Sequence, residues 1–318
     1  MKKFKRLISL VLVTAMALLL ASCGSKELSD TIRVGALNGP TGMGMVNLMD
    51  EELIDLTTYQ AADEVVQKLV SDDIDIAAVP SNLASVLYNK TGGQIVALTT
   101  ICSGVLYLVE NGNEVDDIDD LEGKTIYASG KGGTPEYVLS ILLQEEGLTI
   151  GEDVQVQWLD AHADVAQMLL QNSGAVALLP EPFVSNVTSK SDAVKVAVDL
   201  NEEWTDEFEQ SLPMGVLIAK KSFVEERADD VAIFLEKVSD SVDAVNTASD
   251  EIAEKIVDAG FLADVEIAKS AIPRCNISCM SPEDSQATLS AFFNVLYKFA
   301  PQSVGGALPG DDIYYTGK

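Results

Sequence analysis

The chain is poor in histidine, cysteine and positive charge. It has one His and four Cys, and 21 Lys and Arg stand against 50 Asp and Glu in 318 residues, a formal charge of −29. With one His and no close Cys pair, a His-rich zinc or iron site is not expected, and the sequence calls for no metal and no cofactor. The shortage of bases argues against nucleic acid as a partner, because phosphate binding depends on clustered Lys and Arg that displace counterions. The apolar run from Leu7 to Leu20 has 14 residues, too few to span a hydrocarbon core of ~30 Å, and nothing downstream is apolar and long enough to serve as an anchor. What is present is 47% hydrophobic and 22% charged residues, the composition of a folded chain. Its length exceeds what one compact core usually serves, so two domains are expected.

Lys2, Lys3, Lys5 and Arg6 precede the apolar run, and Leu20-Ala21-Ser22-Cys23 ends it. The ending resembles the lipobox of bacterial lipoproteins, in which the Cys sulfur receives a diacylglycerol and the peptide is cut just before it. On that reading residues 1–22 are a signal peptide, Cys23 is the lipidated first residue and residues 23–30 are a flexible tether. The protein is then expected at the cell membrane, lipid-anchored on its extracytoplasmic face; an ordinary secretory peptide with an incidental Cys is the alternative. Removing residues 1–22 deepens the negative excess by four charges, which favours solubility. It leaves the sign of a ligand open, since salt screens over ~8 Å.

Thr31 to Leu37 alternates as a strand does and stops at Asn38-Gly39-Pro40-Thr41-Gly42, where a Pro just inside a helix start predicts a helix through Met43 to Glu52. A second strand is read over Leu53 to Thr58. A helix follows over Ala62 to Ser71, with Val65, Val66, Leu69 and Val70 on one side. A third strand ends at Val79-Pro80, after which Ser81 caps a helix through Tyr88. This order implies a parallel sheet with covered faces. The run from Gln94 to Glu110, broken at Ser103-Gly104, is too long for one ordinary strand and reads as the chain crossing to a second body. Glu114 to Glu122, six acids in nine positions, lacks the EF-hand spacing and reads as a solvated linker.

A second series begins with a strand at Lys124 to Ala128, the turn Ser129 to Gly133, Thr134 as N-cap and Pro135 as first helical residue. It continues with strand Val154 to Leu159, helix Ala163 to Gln171, strand Ala175 to Leu179 ending in Pro180-Glu181-Pro182, and strand Val194 to Val198. Pro213 to Ala219 returns the chain to the first body. Ser222-Phe223-Val224-Glu225 reads as a capping box that opens a long helix, and Ser281-Pro282-Glu283-Asp284 opens a helix to Phe299. The expected architecture is α/β and two-lobed, with two hinge crossovers and a C-terminal helical extension. Residues 31–108 and 212–318 make lobe I and residues 109–211 make lobe II, with a cleft between them.

These residues resemble the extracytoplasmic solute-binding proteins of ABC importers, the nitrate, sulfonate, taurine and thiamine-pyrimidine group, over nearly the whole mature chain. The resemblance is carried by Val34-Gly35, Asp75-Ile76-Ala77, Gly104 to Val109, Asp120-Leu121-Glu122-Gly123-Lys124-Thr125-Ile126, Pro180-Glu181-Pro182-Phe183 and the run Ser303 to Tyr315. It implies a type II periplasmic-binding fold that closes over one small molecule and presents it to a membrane permease and its ATPase, without chemistry of its own. A monomer is expected.

In open α/β sheets ligands sit beyond the carboxyl ends of strands, where helix N-termini offer unpaired N–H groups. That rule selects Asn38, Gly39, Pro40, Thr41 and Gly42 after the first strand, Tyr59 and Gln60 after the second, and Ser81 and Asn82 after the third. In lobe II it selects Gly130, Lys131, Gly132, Gly133 and Thr134. Glu181, between two prolines, either accepts hydrogen bonds from an amine or caps the next helix. His162 lacks a Ser or Cys nucleophile in a fitting order and reads as a polar residue of a first helical turn. Trp158 and Trp204 read as core or hinge packing, and pairing of Cys275 with Cys279 stays open.

Two other functions compete with solute capture: a sensor or adhesion lipoprotein using the same cleft, and an enzyme related to thiamine-pyrimidine synthesis on the same fold. The mature arginines are Arg33, Arg227 and Arg274, none of them in the expected cleft loops. A fork-to-fork clamp on carboxylate or phosphate is therefore not expected, and an amine-bearing heterocycle or a zwitterion fits better. A small sulfonate held by helix N-termini remains open.

Overall fold

Residues 27–317 are described by the computed structural model. The basic segment, the Leu7–Leu20 run and Cys23 lie outside the described residues, so the lipobox reading is not tested by the fold. Among the described residues no helix is long and apolar enough to cross a membrane.

Ile32, Val34 and Ala36 are fully buried and make β1 (Ile32–Leu37) the first strand, which leads through Asn38-Gly39 into a short helix, α1 (Pro40–Gly44). The helix expected from Met43 to Glu52 is α1 followed by a 3-10 turn over Val46–Asp50. Met43, Gly44, Met45 and Val46 are buried in succession, a pattern no single amphipathic face accommodates. β2 (Ile54–Tyr59) pairs parallel with β1. α2 (Ala62–Val70) buries Val65 and Leu69, but Val70 is 56% exposed, because one further step turns it about 100° off that stripe. β3 (Ile76–Pro80) runs directly into α3 (Ser81–Thr91). Ser81 is not its cap: Pro80 holds that position and Ser81 is already helical.

The apolar run after α3 is two strands in two sheets. β4 (Ile95–Ser103) ends the first crossing and β5 (Leu106–Asn111) starts in the second sheet, so Leu106, Tyr107 and Leu108, read above with lobe I, belong to the second sheet. Gly104 between them has φ +36°, and a Cβ there would lie 2.1 Å from Cγ of Asn201, so only glycine fits. Its N–H donates to the Leu212 carbonyl at 2.8 Å, and its carbonyl accepts from Nδ2 of Asn276 at 2.6 Å. Outgoing and returning crossovers are thereby tied at one point. The acidic segment that follows is a packed loop rather than a solvated linker. Val115, Ile118 and Leu121 are buried beneath it, and the buried Glu110 carboxylate accepts from the N–H groups of Glu114 and Val115.

The second lobe repeats the plan of the first with β6 (Thr125–Ala128), α4 (Thr134–Glu145), β7 (Gln155–Trp158), α5 (His162–Gln171), β8 (Val176–Pro180), α6 (Phe183–Thr188), β9 (Val194–Asp199) and α7 (Leu200–Phe208). The strand orders are β2-β1-β3-β10-β4 and β7-β6-β8-β5-β9, where β10 (Pro213–Lys220) is the returning strand. β1, β2 and β3 pair in parallel as expected, and so do β6, β7 and β8, but both sheets are mixed. β10 runs antiparallel to β3 and β4, and β5 to β8 and β9, because a strand arriving from the other lobe enters in the opposite direction.

α8 (Lys221–Glu226) and α9 (Ala228–Val245) are separated at Arg227, and Ser222 lies inside α8 with Lys220 as N-cap, so its capping-box spacing caps nothing. α10 (Asp250–Asp258), α11 (Val265–Ala271) and α12 (Pro282–Phe299) follow, capped by the side chains of Ser249, Asp264 and Ser281. Residues 28–30 are not a loose tether. Leu28 is buried, Ser29 donates from N and Oγ to the Asp230 carboxylate at 2.8 and 2.6 Å, and Arg227 holds the carbonyls of Asp30 and Thr31. One apolar core runs through both lobes, joining Val79, Val216 and Phe292 to Ile126, Leu178 and Trp204. Cys102, Cys275 and Cys279 are free thiols, which answers the open pairing.

Candidate functional site

The carboxyl ends of β1, β2 and β3 face those of β6, β7 and β8 across a cavity of about 590 Å³. From the first lobe Asn38, Gly39, Pro40, Thr41, Gln60 and Asn82 line it; from the second come the loop Gly130 to Thr134 and Glu181. Three selected residues do not line it. Gly42 is covered by the Phe261 ring, where a Cβ would come within 2.4 Å; the Tyr59 ring packs on the core; and Ser81 lies buried behind Pro80 and Asn82. Asp63, Asp160, His162, Phe183 and Met214 line the cavity without having been selected. For Asp160, His162 and Phe183 the signal was available, since each follows the end of β7 or β8 by a few residues.

Helices α2, α3, α4 and α5 all begin at this cavity, and none has a side-chain cap, whereas α7, α10, α11 and α12 elsewhere do. Thr134, expected as a cap, is the first residue of α4. The helices differ in how their positive ends are balanced. Asp63 stands in the first turn of α2, Asp164 in that of α5, and Glu136 of α4 accepts from Gly132 N–H at 2.5 Å. α3 has no acid in its first turn. There Ser81 Oγ is fully buried with no hydrogen-bond partner, and Thr41 Oγ1, in the first turn of α1, is buried and unpartnered as well. Buried polar atoms without partners are uncommon and mark a place where a donor or acceptor is missing. Lys131 at the cavity edge has neither an ion pair nor a hydrogen bond among the described residues, while Lys68, Lys124, Lys195, Lys220 and Lys221 each hold a carboxylate.

Asn82 and Arg274 of the first lobe each bond to the second. Thr134 Oγ1 donates to Asn82 Oδ1 at 2.9 Å, and Asn82 Nδ2 donates to the Ser303 carbonyl at 3.1 Å. Arg274 Nη1 lies 3.5 Å from Glu181 Oε1, and Tyr107 Oη donates to the Arg274 carbonyl at 3.0 Å. An arginine therefore does reach the cleft wall, contrary to expectation; the turn after α11 brings it there from a distant part of the chain. Glu181 itself is 1% exposed, and its carboxylate accepts from the N–H and Oγ of Ser185 at 3.1 and 3.0 Å. That is the capping geometry. Burial pushes its carboxyl up in pKa, against the opposing pull of Ser185 and Arg274.

His162 opens α5 with Nδ1 2.6 Å from Ser129 Oγ and its ring 5.4 Å from that of Phe183. Burial pushes the imidazole down to about 4, from an ordinary 6.5, so it is neutral at physiological pH. Above pH 6.5 it is neutral folded and unfolded alike. Between pH 6.5 and 4 only the unfolded chain takes the proton, so stability falls with pH by up to about 3 kcal/mol. Replacement by Asn should flatten that part of the melting profile. As the sole histidine, its single NMR imidazole signal should show no titration above about pH 5; a midpoint near 6.5 would contradict its burial.

Residues 47–201 match the family model of the ABC-transporter phosphonate periplasmic substrate-binding proteins. YtlA of Bacillus subtilis (strain 168) is 24% identical over 227 residues, covering 70% of this chain and 66% of YtlA, just under two thirds of its length. A crystal structure of an ABC transporter protein from Parabacteroides distasonis superposes with a TM-score of 0.78 at 22% identity, covering 91% of this chain and 100% of that one. The periplasmic aliphatic sulphonate binding protein SsuA from Escherichia coli gives 0.71 at 16%, covering 90% and 92%. At these identities the two structures establish the periplasmic-binding-protein fold.

Proposed function

Because the chain belongs to the periplasmic substrate-binding proteins of ABC transporters, we propose that it is the lipid-anchored, monomeric receptor of an importer, closing its two lobes over a small organic oxyanion, a sulfonate or phosphonate, and delivering it to the permease without chemical change. The observation that carries the choice of an anion is the set of donors with nothing to donate to. The uncapped start of α3, the hydroxyl of Thr41, unpartnered among the described residues, and the free ammonium of Lys131 lie at the cleft of a chain whose other bases are mostly paired. Glu181, the residue that favoured an amine-bearing solute, spends its carboxylate on Ser185 and Arg274. The contacting set is Asn38, Gly39, Thr41, Gln60, Asn82 and Gly130 to Thr134, with His162 as a neutral hydrogen-bonding group.

Thermal denaturation against sulfonates, phosphonates, amino acids and pyrimidines tests the reading. A bound solute at 100 times its Kd stabilises by about 2.7 kcal/mol, which is roughly 5 °C or more for a chain of this size. Shifts confined to amino acids or pyrimidines would remove the anion, and no shift with any class would favour a sensor or adhesion protein. Cys23→Ala should leave the fold intact and release the protein from membranes; retention after a salt wash would disprove the anchor.

A further inference from the structure

The cleft does not end at the residues named so far. At Asn38, Gln60, Pro182 and Phe183 it continues into a side groove of about 820 Å³ between α5 and α6 on one side and Gly260 to Ala263 on the other. Leu170, Phe183, Phe261 and Leu262 on its walls are apolar and buried or half-buried. Gln167, Gln171 and Lys190 are exposed polar residues of its lining, and Asn186 is half-buried. Lys190 is exposed and bonds only the neutral amide oxygen of Asn186, at 2.6 Å, so its charge has no counterion among the described residues. Cleft and groove thus present three kinds of surface: unpaired donors, apolar walls, and an uncompensated cation at an exposed position.

We infer that the solute is two-ended, an organic sulfonate or phosphonate whose head group sits in the cleft, whose carbon chain follows the apolar groove and whose far end carries a carboxylate facing Lys190. This rests on the anion reading given above and narrows it. A bare inorganic anion or a one-carbon sulfonate would leave the groove filled with water. The hydrated ammonium of Lys190 gives an alkyl tail without a polar end nothing to gain, and a tail ending in an amine would be repelled by it.

Isothermal titration of the full-length protein in detergent with methanesulfonate, hexanesulfonate and 6-sulfohexanoate tests the assignment. Affinity should rise at least tenfold from the first to the second, and several-fold again to the third. Lys190→Glu should abolish only the last gain, and Leu262→Asn should cut the first. Lys190 is exposed, so the variant should fold as the parent does, with an unchanged far-UV circular dichroism spectrum. Equal affinity along the series, or a 6-sulfohexanoate advantage that survives Lys190→Glu, would overturn the two-ended assignment while leaving the anion reading in place. Failure of all three, together with the corresponding phosphonates, would overturn the anion reading and the assignment with it.

Discussion

Trp204→Ala is expected to lower the free energy of unfolding by about 3–5 kcal/mol, the cost of deleting a large buried aromatic side chain. Trp204 is fully buried on α7, a helix of the second lobe, with its ring 4.5 Å from Phe208 and 5.6 Å from Phe292. Phe292 belongs to α12, which packs on α3, β4 and β10 of the first lobe. The indole therefore fills the core at the place where the lobes share it, and the cavity cannot close by movement within one lobe alone. Its Nε1 has no acceptor, so no hydrogen bond is lost and the effect is one of volume. Trp204→Phe should cost distinctly less. Denaturant unfolding followed by circular dichroism measures both, and Trp158, the other tryptophan, reports on the second lobe by fluorescence. Separate transitions for the two lobes in the Ala variant would accord with a shared core; a cost below about 1 kcal/mol would contradict it.

Glu181→Ala should destabilise by about 1–3 kcal/mol, through loss of the acceptor for two Ser185 donors inside the protein. The Arg274 contact contributes less, because that guanidinium is 42% exposed and can return to water. Glu181→Gln keeps one carbonyl acceptor and removes a buried charge, so it should stay close to the parent in stability at neutral pH. The two variants also differ in pH dependence. With a folded-state pKa raised by burial, Glu181 gains a proton on folding, so its contribution to stability improves as pH falls into its folded-state titration range. The Gln variant should lack that rise. Affinity for an anionic solute should be little changed in Glu181→Gln. A ten- to hundred-fold loss of affinity with an unchanged melting temperature would instead return Glu181 to ligand contact and an amine to the solute.

Much of the architecture is legible in the residues alone because it depends on local patterns. The alternation of Ile32, Val34 and Ala36, the Gly and Pro turns at the ends of β1, β3, β6 and β8 and the Ser281 cap need only near neighbours in sequence, as does the rule that ligands gather where such strands end. Asn38, Thr41, Asn82 and the loop from Gly130 to Thr134, chosen by that rule, line the cavity. The misread helix caps share one cause. Ser81, Thr134 and Ser222 each had the right side chain near a helix start, but the backbone placed all three inside the helix, where a side chain no longer reaches the free N–H groups. Long-range contacts decided the rest. Whether Glu181 faced a solute or Ser185 and Arg274 depended on a turn 93 residues away, and the docking of residues 28–30 depended on Asp230, 201 residues from Ser29. The mixed sheets follow from the direction in which each crossover strand arrives. The side groove and its unpaired Lys190 exist only because α5, α6 and the segment from Gly260 to Ala263 meet across the lobes, a juxtaposition with no trace in local periodicity.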